Sequence, residues 1–115
     1  MRVRRRDIWL ADLREPVGSE AGYVRPVVIV QSDSINASRL STYVAIPITG
    51  IPHSVTLPWN LPLPSSTPGL SKPSIAQINL IVTVAEAQLI EHLGEVSAAQ
   101  LARLFICLDL ALGRA

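Results

Sequence analysis

A chain of 115 residues with 49% hydrophobic residues and a formal net charge of +1 fits one small domain, residues 1–115, and lacks the strong basic excess of many nucleic-acid binders. The lone Cys107 excludes an internal disulfide and a cysteine-cluster metal site, and no apolar run reaches the roughly 18 residues of a membrane span. The basic N-terminus leads into Asp7 and Asp12 and not into an apolar targeting segment, so the expected location is the cytoplasm.

Arg2, Arg4, Arg5 and Arg6 crowd the start of the chain, a run most simply read as a solvated tail. Residues 7–13 then alternate, with Trp9, Ala11 and Leu13 on one face and Ile8 and Leu10 on the other, which predicts a first strand with apolar cover on both sides. Pro16, Gly18 and Gly22 mark 14–24 as a connection. The apolar run 27–31 reads as a central strand. Asp33 or Ser34 can cap a helical turn over 35–38. The third strand spans 43–49, where Pro47 lacks a ladder donor and argues for an edge or a bulge.

Residues 54–57 can add a short strand, and the prolines between 58 and 73 predict a long loop carrying Trp59. The clearest alternation runs over 75–84: Ala76, Ile78, Leu80, Val82 and Val84 form an apolar face, and Gln77, Asn79 and Thr83 share the other with Ile75 and Ile81. Residues 86–92 read as a short helix stopped by Gly94, with His92 at its end. Ser97 and Gln100 fit a capping box, after which Leu101, Leu104, Phe105, Leu108 and Leu112 recur at helical spacing. Ile106 and Leu110 extend that helix's apolar surface beyond one stripe, and Cys107 reads as a small buried hydrophobe within it. The expected class is mainly β with α: antiparallel strands and a C-terminal helix.

Arg25 stands just ahead of the apolar run of its strand, so its guanidinium belongs at the strand entry, facing solvent or a ligand. A planar, permanently charged fork suits phosphate. His53 and His92 are the only histidines, and no metal-binding motif or glycine-rich phosphate loop is present.

The segment Asp7-Ile8-Trp9-Leu10-Ala11-Asp12-Leu13, the loop Gly18-Ser19-Glu20 with Arg25-Pro26, the triplet Pro47-Ile48-Thr49, the stretch Gly69 to Ser74 and Ile81 to Val84 occur in one order and spacing. Together they resemble the MazF/PemK family of toxin endoribonucleases, over nearly the whole chain. The resemblance implies a small barrel of the SH3 type, as in CcdB and PemK, a homodimer, and cleavage of single-stranded RNA at a short sequence without metal or cofactor. It also implies a cognate antitoxin, with DNA reached only through an antitoxin complex. The positive mean hydropathy agrees with a subunit contact, although a well-filled core would produce it too.

By the same resemblance Arg25 and Thr49 carry the chemistry, and Ser19 and Glu20 complete the catalytic set by positioning substrate. From physical chemistry, Arg25 suits stabilisation of a phosphorane more than proton transfer, because a free guanidinium has a pKa above about 12. Ile51, Pro52 and His53 are expected to touch RNA bases, and the amides of Gln77 and Asn79 to read them. Some relatives place a histidine at the position of Ser19, and others an arginine and an acid near Gln77 and Asn79, so the acid-base pair stays open. Two other readings compete: a gyrase poison of the same fold, whose Trp-Gly-Ile terminus is replaced here by Gly113-Arg114-Ala115, and a passive binding module, for which two Trp, two Tyr and one Phe are meagre equipment.

Overall fold

A computed structural model describes residues 2–50 and 57–115. Seven strands appear in it: β1 (Asp7–Asp12), β2 (Val24–Ile29), β3 (Thr42–Gly50), β4 (Leu61–Leu63), β5 (Ser74–Ala76), β6 (Val82–Ala85) and β7 (Leu89–Glu95). Two α-helices, α1 (Asp33–Asn36) and α2 (Ala98–Ala111), accompany them. The pairing path runs β4-β5-β3-β2-β1-β7, and β6 joins β3 beside β5, so the sheet is antiparallel and does not close on itself.

The alternation of β1 sends neighbouring side chains to two separate cores. Ile8 packs with Val28, Ile46, Ile48 and Leu104 of α2, whereas Trp9 and Ala11 pack with Val27, Ile29, Tyr43 and Ala45. Apolar residues on both faces of the central strands account for much of the high hydrophobic fraction. α2 begins where the capping box predicts: the Gln100 amide donates to Ser97 Oγ at 3.0 Å and the Ser97 amide to Gln100 Oε1 at 2.8 Å. Leu104 is fully buried, while Ile106, Leu110 and Leu112 stay 67, 46 and 61% exposed. Cys107 is only half-buried, yet burial pushes its thiol pKa up, ahead of the opposing effect of Arg103.

The arginine run is less a tail than a set of fasteners. Arg5 Nε donates to Val30 O at 3.0 Å and its guanidinium lies 4.5 Å from the Phe105 ring centroid. Arg6 Nε donates to Val96 O at 2.9 Å. The Arg5 amide donates to Asp33 Oδ1 at 2.8 Å, and this bond, with one from Asn36, holds the Asp33 carboxyl below its ordinary pKa.

Several expectations need correction. The region 75–84 is not one strand: β5 ends at Ala76, a 3-10 turn occupies Ile78–Leu80, and β6 follows. The two halves serve different stretches of β3, β6 pairing Thr42–Ala45 and β5 pairing Ile48–Gly50. Pro47 lies at the changeover inside the sheet and not at an edge, with its carbonyl accepting from the Gln77 amide at 2.8 Å. The proposed helix 86–92 shrinks to a 3-10 turn at Glu86–Gln88, and His92 lies in β7, which completes the outer side of β1. Gly94 is therefore no helix stop; a Cβ there would collide with the backbone of Pro68 and Gly69. Finally, the proline-rich stretch contains β4, with Pro62 tolerated in an outermost strand. The suggested strand at 54–57 lies mostly outside the described residues, and Leu57 is not in a strand.

Leu104→Ala should cost about 2–5 kcal/mol of unfolding free energy by cavity formation. Ser97→Ala should cost about 1 kcal/mol through loss of the cap. Urea titrations of both variants beside the parent check the two values and their order.

Candidate active site

β2 and β3 pair through Ile29–Ala45, Val28–Ile46 and Val27–Pro47, and continuing that register sets Arg25 across from Thr49. The ladder stops before them: Arg25 partners Ala11 of β1, and Thr49 partners Ile75 of β5. In this fork lies a cavity of about 350 Å³ lined by Arg25, Thr49, Ser74 at the start of β5 and, from neighbouring loops, Tyr23, Ser71 and Lys72.

Arg25 is half-buried and held at two points, Nε donating to Gly22 O at 2.9 Å and Nη1 to Gln77 Oε1 at 3.1 Å. Its remaining N–H groups have no protein acceptor among the described residues. Lys72 lies along Gly50, where a Cβ would fall 2.7 Å from its Cε and 2.9 Å from its Nζ. Among the described residues lining the cavity, Arg25 and Lys72 are the only charged ones, so it favours an anion. The Thr49 hydroxyl adds a donor beside them. Lys72, Ser71 and Ser74 were not singled out individually by sequence reading, although they sit in the Gly69 to Ser74 stretch; only the folding of that loop against the fork brings them to Arg25.

The other candidates lie elsewhere. Ser19 is exposed, and Glu20 folds back on its own loop, its Oε1 accepting from the Val17 amide at 2.8 Å. Glu20 also lines a separate cavity of about 300 Å³ with Asn79 and Gln88. Gln77 and Asn79 do not share a strand face, because the 3-10 turn follows Gln77; Gln77 grips Arg25, whereas Asn79 is exposed and accepts from Trp59 Nε1 at 3.0 Å. Ile51, Pro52 and His53 lie outside the described residues. His92 is not at the cavity: its Nε2 is 3.3 Å from Asp7 Oδ1, and its ring sits edge-on to Trp9. No cluster of three His, Cys, Asp or Glu suited to a metal occurs among the described residues.

Residues 4–112 match the model of the PemK-like, MazF-like toxin of type II toxin-antitoxin systems. The chain belongs to this family. Relatives include endoribonuclease MazF9 of Mycobacterium tuberculosis, 39% identical over 96% of both chains, and endoribonuclease MazF2 of Mycobacterium bovis, 39% identical over 86% of this chain and 87% of the relative. Among solved structures, MazF of Deinococcus radiodurans covers 98% of both chains with a TM-score of 0.81 at 20% identity. A mycobacterial endoribonuclease in complex with its cognate antitoxin covers 98% of this chain and 97% of its own, with a TM-score of 0.79 at 23% identity. These structural likenesses establish the mostly antiparallel fold with its C-terminal helix. None of these relatives is a gyrase poison, so that alternative loses its footing.

The anion preference of the MazF-like cavity is directly measurable. Inorganic phosphate should shift the side-chain Nε–Hε NMR signal of Arg25, and both Arg25→Ala and Lys72→Ala should weaken phosphate binding. An unmoved signal would show that the two cations do not form an anion site.

Proposed function

We propose that this MazF/PemK-family chain is a sequence-specific endoribonuclease toxin that cuts single-stranded RNA without metal. The observation that carries the reading is the convergence of Arg25 and Thr49 in a cationic, carboxylate-free cavity. In the reaction the 2′-oxygen of one nucleotide attacks the adjacent phosphorus, the 2′-O–P bond forms and the P–O5′ bond breaks. The 2′-proton departs and the 5′-oxygen gains one, leaving a 2′,3′-cyclic phosphate and a 5′-hydroxyl. Arg25 donates to the phosphorane oxygens as their charge grows, and Thr49 donates to the same phosphate. Lys72 adds a second positive charge at the ground-state phosphate.

Gln77 acts by holding the Arg25 guanidinium in place. Ser19 and Glu20 position the incoming strand from the loop that leads into Arg25, and Asn79 reads bases together with Ile51, Pro52 and His53. The functional unit is a homodimer, for which the exposed Ile106 and Leu110 of α2 offer an unpartnered apolar face. A separate antitoxin with an acidic, disordered tail neutralises it by occupying the cationic groove, in the cytoplasm, and DNA is contacted only through that complex.

Incubation with a long unstructured RNA in chelator should yield discrete fragments with cyclic phosphate ends; a strict need for magnesium would defeat the mechanism. Arg25→Lys keeps the charge and loses the fork, so kcat/KM should fall at least about 100-fold, the scale of losing a transition-state donor. Thr49→Ala should be nearly inactive while remaining folded.

Base reading and positioning separate in a fragment-end profile. Asn79→Ala should change which sequences are cut, whereas Gln77→Ala should slow cutting at an unchanged motif. The reverse pattern would exchange the two roles.

A further inference from the structure

Tyr23 is a bulky residue in a left-handed backbone conformation, with φ of 59°, a region that costs energy for any side chain carrying a Cβ. The main chain holds it there firmly: the Tyr23 amide donates to Arg14 O at 2.6 Å and Tyr23 O accepts from the Leu13 amide at 2.9 Å. Glycine would make both bonds without strain. Nor does packing offset the cost, because the residue is 64% exposed.

The other aromatic residues have settled places in the fold. Trp9 and Tyr43 are 7 and 4% exposed, Phe105 lies under Arg5, and Trp59 bonds Asn79. Tyr23 alone lines the cavity that holds Arg25 and Thr49. Its position relative to the guanidinium is also constrained, since Arg25 Nε bonds the carbonyl of Gly22, the residue before Tyr23.

We propose that Tyr23 is a stacking platform for the base of a nucleotide next to the scissile phosphate, a positioning residue for substrate. The inference rests on the ribonuclease reading given above. A flat ring at the mouth of a phosphate-binding cavity supplies the π-face that an unstacked base needs, and it does so with little regard to base identity. Tyr23 thus contributes affinity and alignment, while the choice of sequence remains with other residues.

Once the cut site is mapped, short RNAs carrying 2′-deoxyribose at that site and 2-aminopurine at successive positions provide the probe. The parent protein should quench fluorescence strongly at one position flanking the cut. Tyr23→Gly removes the ring and relieves the backbone, so its melting temperature should hold or rise while that quenching disappears and KM rises by about 5- to 100-fold, as expected for one lost stacked base. Its kcat at saturation and its cleavage motif should stay close to the parent's, and Tyr23→Phe should retain quenching and KM. Unchanged quenching and KM in Tyr23→Gly, or a loss that tracks a lower melting temperature, would overturn the proposal while leaving the ribonuclease reading intact. A parent protein that neither binds nor cuts RNA would overturn the ribonuclease reading itself.

Discussion

The site depends on the failure of β2 and β3 to stay paired beyond Val27 and Pro47. Had the ladder continued, Arg25 and Thr49 would have been neighbours on a continuous sheet, with no space between the strands for a ligand. Instead β2 there keeps only its far-edge partner β1 and β3 only its far-edge partner β5, and the loop carrying Lys72 folds against the gap. Pro47 suits this junction because it lacks an amide donor, and its carbonyl is satisfied by the Gln77 amide. The same contact region sends the Gln77 side chain onto Arg25, so the break in the sheet and the orientation of the guanidinium arise together.

Around that fork the molecule is a two-faced sheet with unequal cover. One core is closed by α2 through Leu104, and the other gathers Trp9, Tyr43, Val84 and Leu89 without a helix over it. Arg5 and Arg6 link the N-terminal residues to β2, α2 and the start of the α2 cap, so charge density at the chain start serves the fold as well as the surface. The long stems of these arginines let them pack on apolar neighbours while the guanidinium satisfies buried carbonyls.

Local chemistry made much of the frame legible. β1, β2 and β3 follow from alternation and from continuous apolar runs, and the start of α2 follows from Ser97 and Gln100. The β7 segment misled because Glu86 to Gln88 does begin a turn, while the open edge of β1 then recruits Leu89–Glu95 as a strand, a tertiary preference no local window contains. The alternation over 75–84 misled for a related reason. Ala76, Ile78 and Val84 are buried, but Val82 is 37% exposed and Ile75, on the other face of the alternation, is buried, because a 3-10 turn breaks the two-residue period and moves Gln77 and Asn79 to different surroundings.

What the sequence by itself determined is the chemistry available: a fork-shaped cation at a strand entry, a hydroxyl near the end of another strand, and the order of motifs that marks the MazF/PemK family. Those properties reside in residue type and spacing, which survive without a fold. Only the tertiary structure decided which groups meet. Arg25 and Thr49 face one cavity because β2 and β3 part after Val27 and Pro47, Lys72 joins them because a distant loop packs against the gap, and Glu20 turns to its own loop, where its carboxylate accepts from the Val17 amide. Such meetings depend on long-range pairing and close backbone approach, as at Gly94 against Pro68, and these are set by the competition of all segments for partners at once.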